Sequence, residues 1–110
     1  MALAANVEIE WDGPTIRELL GAVVALLESN DAQSWATYFQ EARECLATSG
    51  ERSIASILQT YGGMGSFNDL VLGCPENRLN EQNRRLDQLR RELYHRCRAV
   101  QQEFNRMDQP

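Results

Sequence analysis

Residues 77–107, NRLNEQNRRLDQLRRELYHRCRAVQQEFNRM, run without a single glycine or proline. An unbroken helix of about 30 residues would reach roughly 45 Å at 1.5 Å per residue. Leu79, Leu86, Leu89, Leu93, Cys97, Val100, Phe104 and Met107 line one apolar stripe along it. A chain of 110 residues is one domain's worth of sequence, and the rest of it has to cover that stripe. The length of this helix also leaves room for its far end to project or to meet a second copy.

The remaining segments read as shorter helices. In DGPTIRELLGAVVALLESN, Pro14 suits a helix start, and Thr15 with Glu18 has capping-box spacing. Ile16, Leu19, Leu20, Val23, Val24 and Leu27 give it one broad buried face. NDAQSWATYFQEARECLATSG supplies a second helix, with Asp31 or Ser34 as cap, Trp35, Phe39, Ala42 and Leu46 on one face, and Gly50 just past its end. A third runs through ERSIASILQTY, turns Ile54, Ile57, Leu58 and Tyr61 inward, and stops at Gly62 in a left-handed conformation. SFNDLVL forms one short helical turn capped by Ser66, and GCP breaks the chain again. The expected fold is all-α, a compact bundle of about four helices with a glycine corner and a long C-terminal helix. It forms a single domain over residues 1–110. VEIEW alternates with a period of two, so residues 1–13 are expected as an extended arm anchored by Trp11, or as an edge offered to a partner strand.

Charge narrows the partners. The formal net charge is −5, which argues against nucleic acid and against a membrane surface. Up to Glu76, 11 acidic residues face 3 arginines, a balance of −8; from Asn77 onward 8 arginines face 5 acidic residues, a balance of +3. An acidic half offers itself to a basic protein, through positions such as Glu28, Asp31, Glu41 and Glu44. Cys45, Cys74 and Cys97 are odd in number and widely spaced, which fits neither a disulfide framework nor a zinc site. The apolar run LLGAVVALL is too short to span a bilayer, and the N-terminus is a poor secretory signal, so a cytoplasmic protein is expected.

YGGMGSFNDLVLG is the stretch that asks for its own account. Gly62, Gly63 and Gly65 expose backbone amides, and Ser66 then opens a helical turn, an arrangement that could hold an anion or nucleotide. The phosphate-loop spacing is absent. The competing reading is a tight corner in which Met64 plugs the core, Ser66 caps, and Asn68 and Asp69 satisfy amides locally. The string GGMGSFNDLVL resembles the signature of a family of small, uncharacterised bacterial helical domains in which GGMGS-x-NDL follows a helix. In size and acidity such domains are similar to the immunity proteins that neutralise interbacterial toxins. The resemblance implies that Gly62, Gly63, Met64, Gly65, Ser66, Asn68, Asp69 and Leu70 form the characteristic part, without a catalytic role.

The last helix carries a second candidate, Arg84, Arg91 and Arg98 seven apart with His95 among them. They could grip phosphate or an acidic partner. Alternatively, Glu81–Arg85, Asp87–Arg91 and Glu92–Arg96 lace a solvated helix face as i,i+4 pairs. His95 and Cys97 point away from each other on a helix and make no nucleophile–base pair; Cys97 reads as core. No catalytic dyad or metal site is completed, so no enzyme and no cofactor are expected. The expected function is protein–protein interaction, with a toxin as partner. A ligand-binding domain centred on Gly62–Ser66 and a homo-oligomer built through the C-terminal helix are the alternatives.

Overall fold

A computed structural model describes residues 13–62, 66–73 and 80–107. Residues 1–12 of the expected N-terminal arm, with Trp11, and Gly63, Met64, Gly65, Cys74 and Leu79 lie outside these, whereas Gly13 already belongs to the first helix. The chain forms helices α1 (Gly13–Glu28), α2 (Gln33–Cys45), α3 (Gly50–Gln59) and α4 (Glu81–Met107), with a 3-10 turn at Phe67–Asp69 between α3 and α4. The fold is an all-α bundle, as the periodicity predicts.

The four helices close a cycle in which α1 packs on α2, α2 on α3, α3 on α4, and α4 back on α1. Their apolar faces meet in one core. Ile16, Leu20, Val23 and Leu27 of α1, Phe39 of α2, Ile54 and Ile57 of α3, and Leu86, Leu93 and Cys97 of α4 are all fully buried. Each large apolar side chain so buried contributes on the order of 1.5–3 kcal/mol. α4 spends its stripe on this core as far as Val100, with Phe104 packed half-buried against it. Among the described residues no helix is long and apolar enough to cross a membrane.

Several helix ends differ from expectation, each for a local reason. α1 begins at Gly13, so Thr15 lies inside the first turn and is not its cap. Asp31 does not cap α2. It stands at φ 62° just past α1, where its amide bonds Glu28 O at 3.4 Å while the Ala32 amide bonds Leu27 O at 3.0 Å. This paired closure satisfies the last carbonyls of α1 in the manner usual for glycine at the same position. Asn30 Nδ2 and Ser29 Oγ donate back to Leu26 O and Ala25 O, each at 2.9 Å, completing the stop. Ser34 lies inside α2, whose preceding residue, Ala32, makes no side-chain cap.

Gly50 does not terminate α2, which ends at Cys45; it opens α3. Gly62 is not left-handed either. α3 ends at Gln59 with the Thr60 amide on Ile57 O at 3.1 Å, so the chain turns before the glycine is reached. The left-handed glycine among the described residues is Gly73, at φ 75°. At the far side of that break, Asn80 Oδ1 accepts the Asn83 amide at 2.9 Å and Asn80 O accepts the Arg84 amide at 3.1 Å. That cap starts α4 at Glu81 instead of residue 77.

Candidate functional site

The segment 66–72 is built into the bundle from the inside. Ser66 caps the 3-10 turn, its Oγ accepting the Asn68 amide at 3.3 Å, as the sequence predicts. The Phe67 amide returns to Thr60 O at 2.9 Å and ties the 3-10 turn to the end of α3. Phe67 itself is fully buried, its ring 4.5 Å from that of Phe39, 5.5 Å from Trp35 and 5.7 Å from Tyr61. Phe67 thus anchors the 3-10 turn in the core.

Two polar side chains of α4 hold the backbone of this segment. Arg90 Nη1 donates to Phe67 O and to Leu70 O, both at 2.9 Å, and its Nη2 pairs with Asp87. Asn83 accepts the Leu72 amide at 2.7 Å and returns Nδ2 to Leu72 O at 3.0 Å, a reciprocal pair that uses both the oxygen and the nitrogen of its carboxamide. The signal for both residues was present in the sequence. Counting back from Leu93 and Leu86 in alternating steps of three and four lands on Arg90 and Asn83. They therefore occupy core positions of the apolar stripe, where a polar side chain must find partners.

Asn68 and Asp69 are exposed on the outer side of the turn, Ser66 is half-buried, and a side chain on Gly62 would meet nothing within 4 Å. The acidic candidates are all exposed, but they do not form one patch. Glu28 and Asp31 precede α2, whereas Glu41 and Glu44 lie near its far end, so ten residues, or about 15 Å of helix rise, separate Asp31 from Glu41.

Glu41 belongs to a groove of about 230 Å³ between α2 and α3, shared with Tyr38, Cys45, Arg52 and Ser56. Its walls are stitched together. Tyr38 OH donates to Ser56 O at 2.9 Å, and the buried Ser53 Oγ donates to Ala42 O at 2.6 Å. Tyr38 keeps 38% of its surface exposed, the large hydrophobic side chain that most faces solvent among the described residues.

A second recess, about 220 Å³, lies where the end of α3 and the 3-10 turn meet α4, lined by Tyr61, Asn68, Arg91 and Tyr94. Burial holds the Tyr61 hydroxyl well above the usual phenol pKa; Cys97 adds to the shift and Arg90 opposes it. That hydroxyl donates to Arg90 O at 2.7 Å. On the basic stripe, Glu92–Arg96 forms as expected, at 3.1 Å, but Asp87 turns to Arg90, not Arg91. Arg84, Arg91, His95 and Arg98 are exposed. Cys97 is core, as expected, and burial pushes its thiol up to about 12. Among the described residues, no three His, Cys, Asp or Glu side chains are grouped to hold a metal ion.

A family model described as a domain of unknown function, DUF6966, matches residues 28–79. The chain is similar to that family from the end of α1 to the approach to α4. The matched stretch contains Tyr38, Glu41, Glu44 and the glycine corner but neither Asn83 nor Arg90. No curated protein and no solved structure matches the chain.

Proposed function

We propose that this chain is a protein–protein interaction domain of the immunity type, a bacterial cytoplasmic inhibitor that neutralises a basic toxin by binding it. The observation that carries the reading is the outer face of α2. Tyr38, Glu41 and Glu44 stand exposed on a helix fixed to α3 by the Tyr38–Ser56 and Ser53–Ala42 bonds. An aromatic side chain ringed by charge on a rigid element is the composition of an interface hot spot and its rim. The acidic balance of residues 1–76 steers a basic surface toward that face.

Expressing the product of the gene beside this one tests the proposal. It should arrest bacterial growth, and co-expression of this chain should restore it. With the purified pair, Glu41→Arg with Glu44→Arg should slow association and flatten its dependence on ionic strength, because rim charges act mostly on the encounter rate. Arg84→Glu with Arg91→Glu should leave the rate nearly unchanged. If the arginine pair is the sensitive one, the acidic face is not the binding surface.

A further inference from the structure

Tyr61, just past α3, and Tyr94, on α4, hold their rings 5.0 Å apart at 52°. The Tyr61 ring is fixed by its hydroxyl on Arg90 O and by the edge-to-face contact with Phe67. Both tyrosine side chains are half-buried and line the recess with aromatic surface. At its rim stand Arg91 and Asn68. Because Asp87 is taken by Arg90, no ion pair engages Arg91 among the described residues, and no hydrogen bond there engages the Asn68 carboxamide. Between residues 84 and 98 six arginines face Asp87 and Glu92, so the local field is positive although the chain as a whole is acidic.

We propose that this recess binds a small ligand in which a compact anion is joined to a flat ring, such as a nucleoside monophosphate or an aromatic carboxylate. The ring lies against Tyr61 and Tyr94, since aromatic faces accept any planar π-system at modest cost in specificity. Arg91 takes the anion through its guanidinium fork, and Asn68 donates a further hydrogen bond. The volume sets a size limit. At about 220 Å³ the recess falls below the ~300 Å³ at which drug-sized clefts begin, so it takes a ring with one anionic group beside it, leaves the rest of a nucleoside monophosphate outside, and does not take a long polyphosphate chain. The anion is held by side chains of α4 and the 3-10 turn.

Titration of the full chain, followed by amide and aromatic NMR, tests the proposal with adenosine monophosphate, benzoate, adenosine and inorganic phosphate as probes. Adenosine monophosphate or benzoate should shift Asn68, Arg91 and Tyr94 saturably. Whichever of the two binds tells the phosphate source from the carboxylate source. Adenosine and phosphate alone should bind at least about tenfold more weakly than the joined ligand. Arg91→Gln, at an exposed position, should weaken binding by about tenfold or more with an unchanged thermal midpoint. Saturation by neither anion, binding untouched by Arg91→Gln, or phosphate binding as tightly as the monophosphate would each overturn the assignment. Because Arg91→Gln leaves Glu41 and Glu44 in place, loss of the ligand with retained partner binding separates this site from the acidic face.

Discussion

Arg90 holds Phe67 in two ways, donating to its carbonyl oxygen at 2.9 Å while its guanidinium carbon lies 5.9 Å from the centre of the same residue's ring. A single side chain of α4 thereby fixes both the backbone and the buried ring of the 3-10 turn. Phe67 in this way ties the described part of the signature-like segment, residues 66–70, to the core.

The clamp should be expensive to remove. Arg90→Ala leaves Phe67 O and Leu70 O without their charged donor and should destabilise the fold by about 2–3 kcal/mol, since hydrogen bonds to charged groups are worth more than neutral ones. Arg90→Lys should recover only part of this, because an ammonium lacks the planar fork that reaches both carbonyls and Asp87 together. Asn83→Asp should cost about 1–3 kcal/mol, as a carboxylate cannot donate to Leu72 O. Urea denaturation midpoints measure all three. Equal midpoints for Arg90→Ala and the unmodified protein would mean that the turn is held by Phe67 packing alone.

How much of this could be read in advance depended on whether a residue acts through periodicity or through a partner far along the chain. Ile16, Leu20, Val23 and Leu27 announce a buried face because their spacing is itself the cause of burial. Arg90 does not announce its partner, since α4 holds several arginines and the carbonyl it serves lies 23 residues away. Its place within the apolar stripe was legible; Phe67 O was not. Helix ends were misread where the stopping groups were unusual. Asp31 looked like a cap for the helix after it, whereas it closes the helix before it, and Gly62 looked like a stop although Thr60 had already turned the chain. The acidic positions were legible as charges, but their separation along α2 emerged only once the helix ends were placed.

Among the described residues the left-handed positions are Asp31 and Gly73, which inverts the expectation about Gly62. Asp31 sits at φ 62°, where a side chain strains the backbone and glycine does not, so Asp31→Gly should stabilise the protein by about 0.5–1 kcal/mol. Gly73→Ala, at φ 75°, should destabilise it by about 1 kcal/mol. Gly62→Ala should change little, because the added methyl meets nothing within 4 Å. Thermal midpoints of the three variants should therefore rise, fall and stay; a fall for Gly62→Ala would show that this glycine is needed for its conformation.

Alkaline pH should unfold the protein, and Cys97 should account for a measurable part of it. Buried among core side chains, its thiol is pushed up to about 12, whereas in the unfolded chain it ionises near ~8.5. A raised native pKa means that the stability associated with the neutral thiol is complete below the unfolded value and is lost as pH climbs toward the native one. In that window the unfolded state sheds a proton that the native state keeps, and stability falls by about 1.4 kcal/mol per pH unit for each such group. Tyr61 shifts in the same direction through burial, so its contribution begins at higher pH and adds to the first. Cys97→Val removes the thiol's share. The variant should start from a similar or slightly altered stability at neutral pH but lose less of it between about pH 9 and 10, where an ordinary phenol has only begun to ionise. The measurement is the urea midpoint as a function of pH for both proteins. Parallel curves would show that the thiol ionises in the native state as readily as in the unfolded one, and that its burial is not maintained in solution.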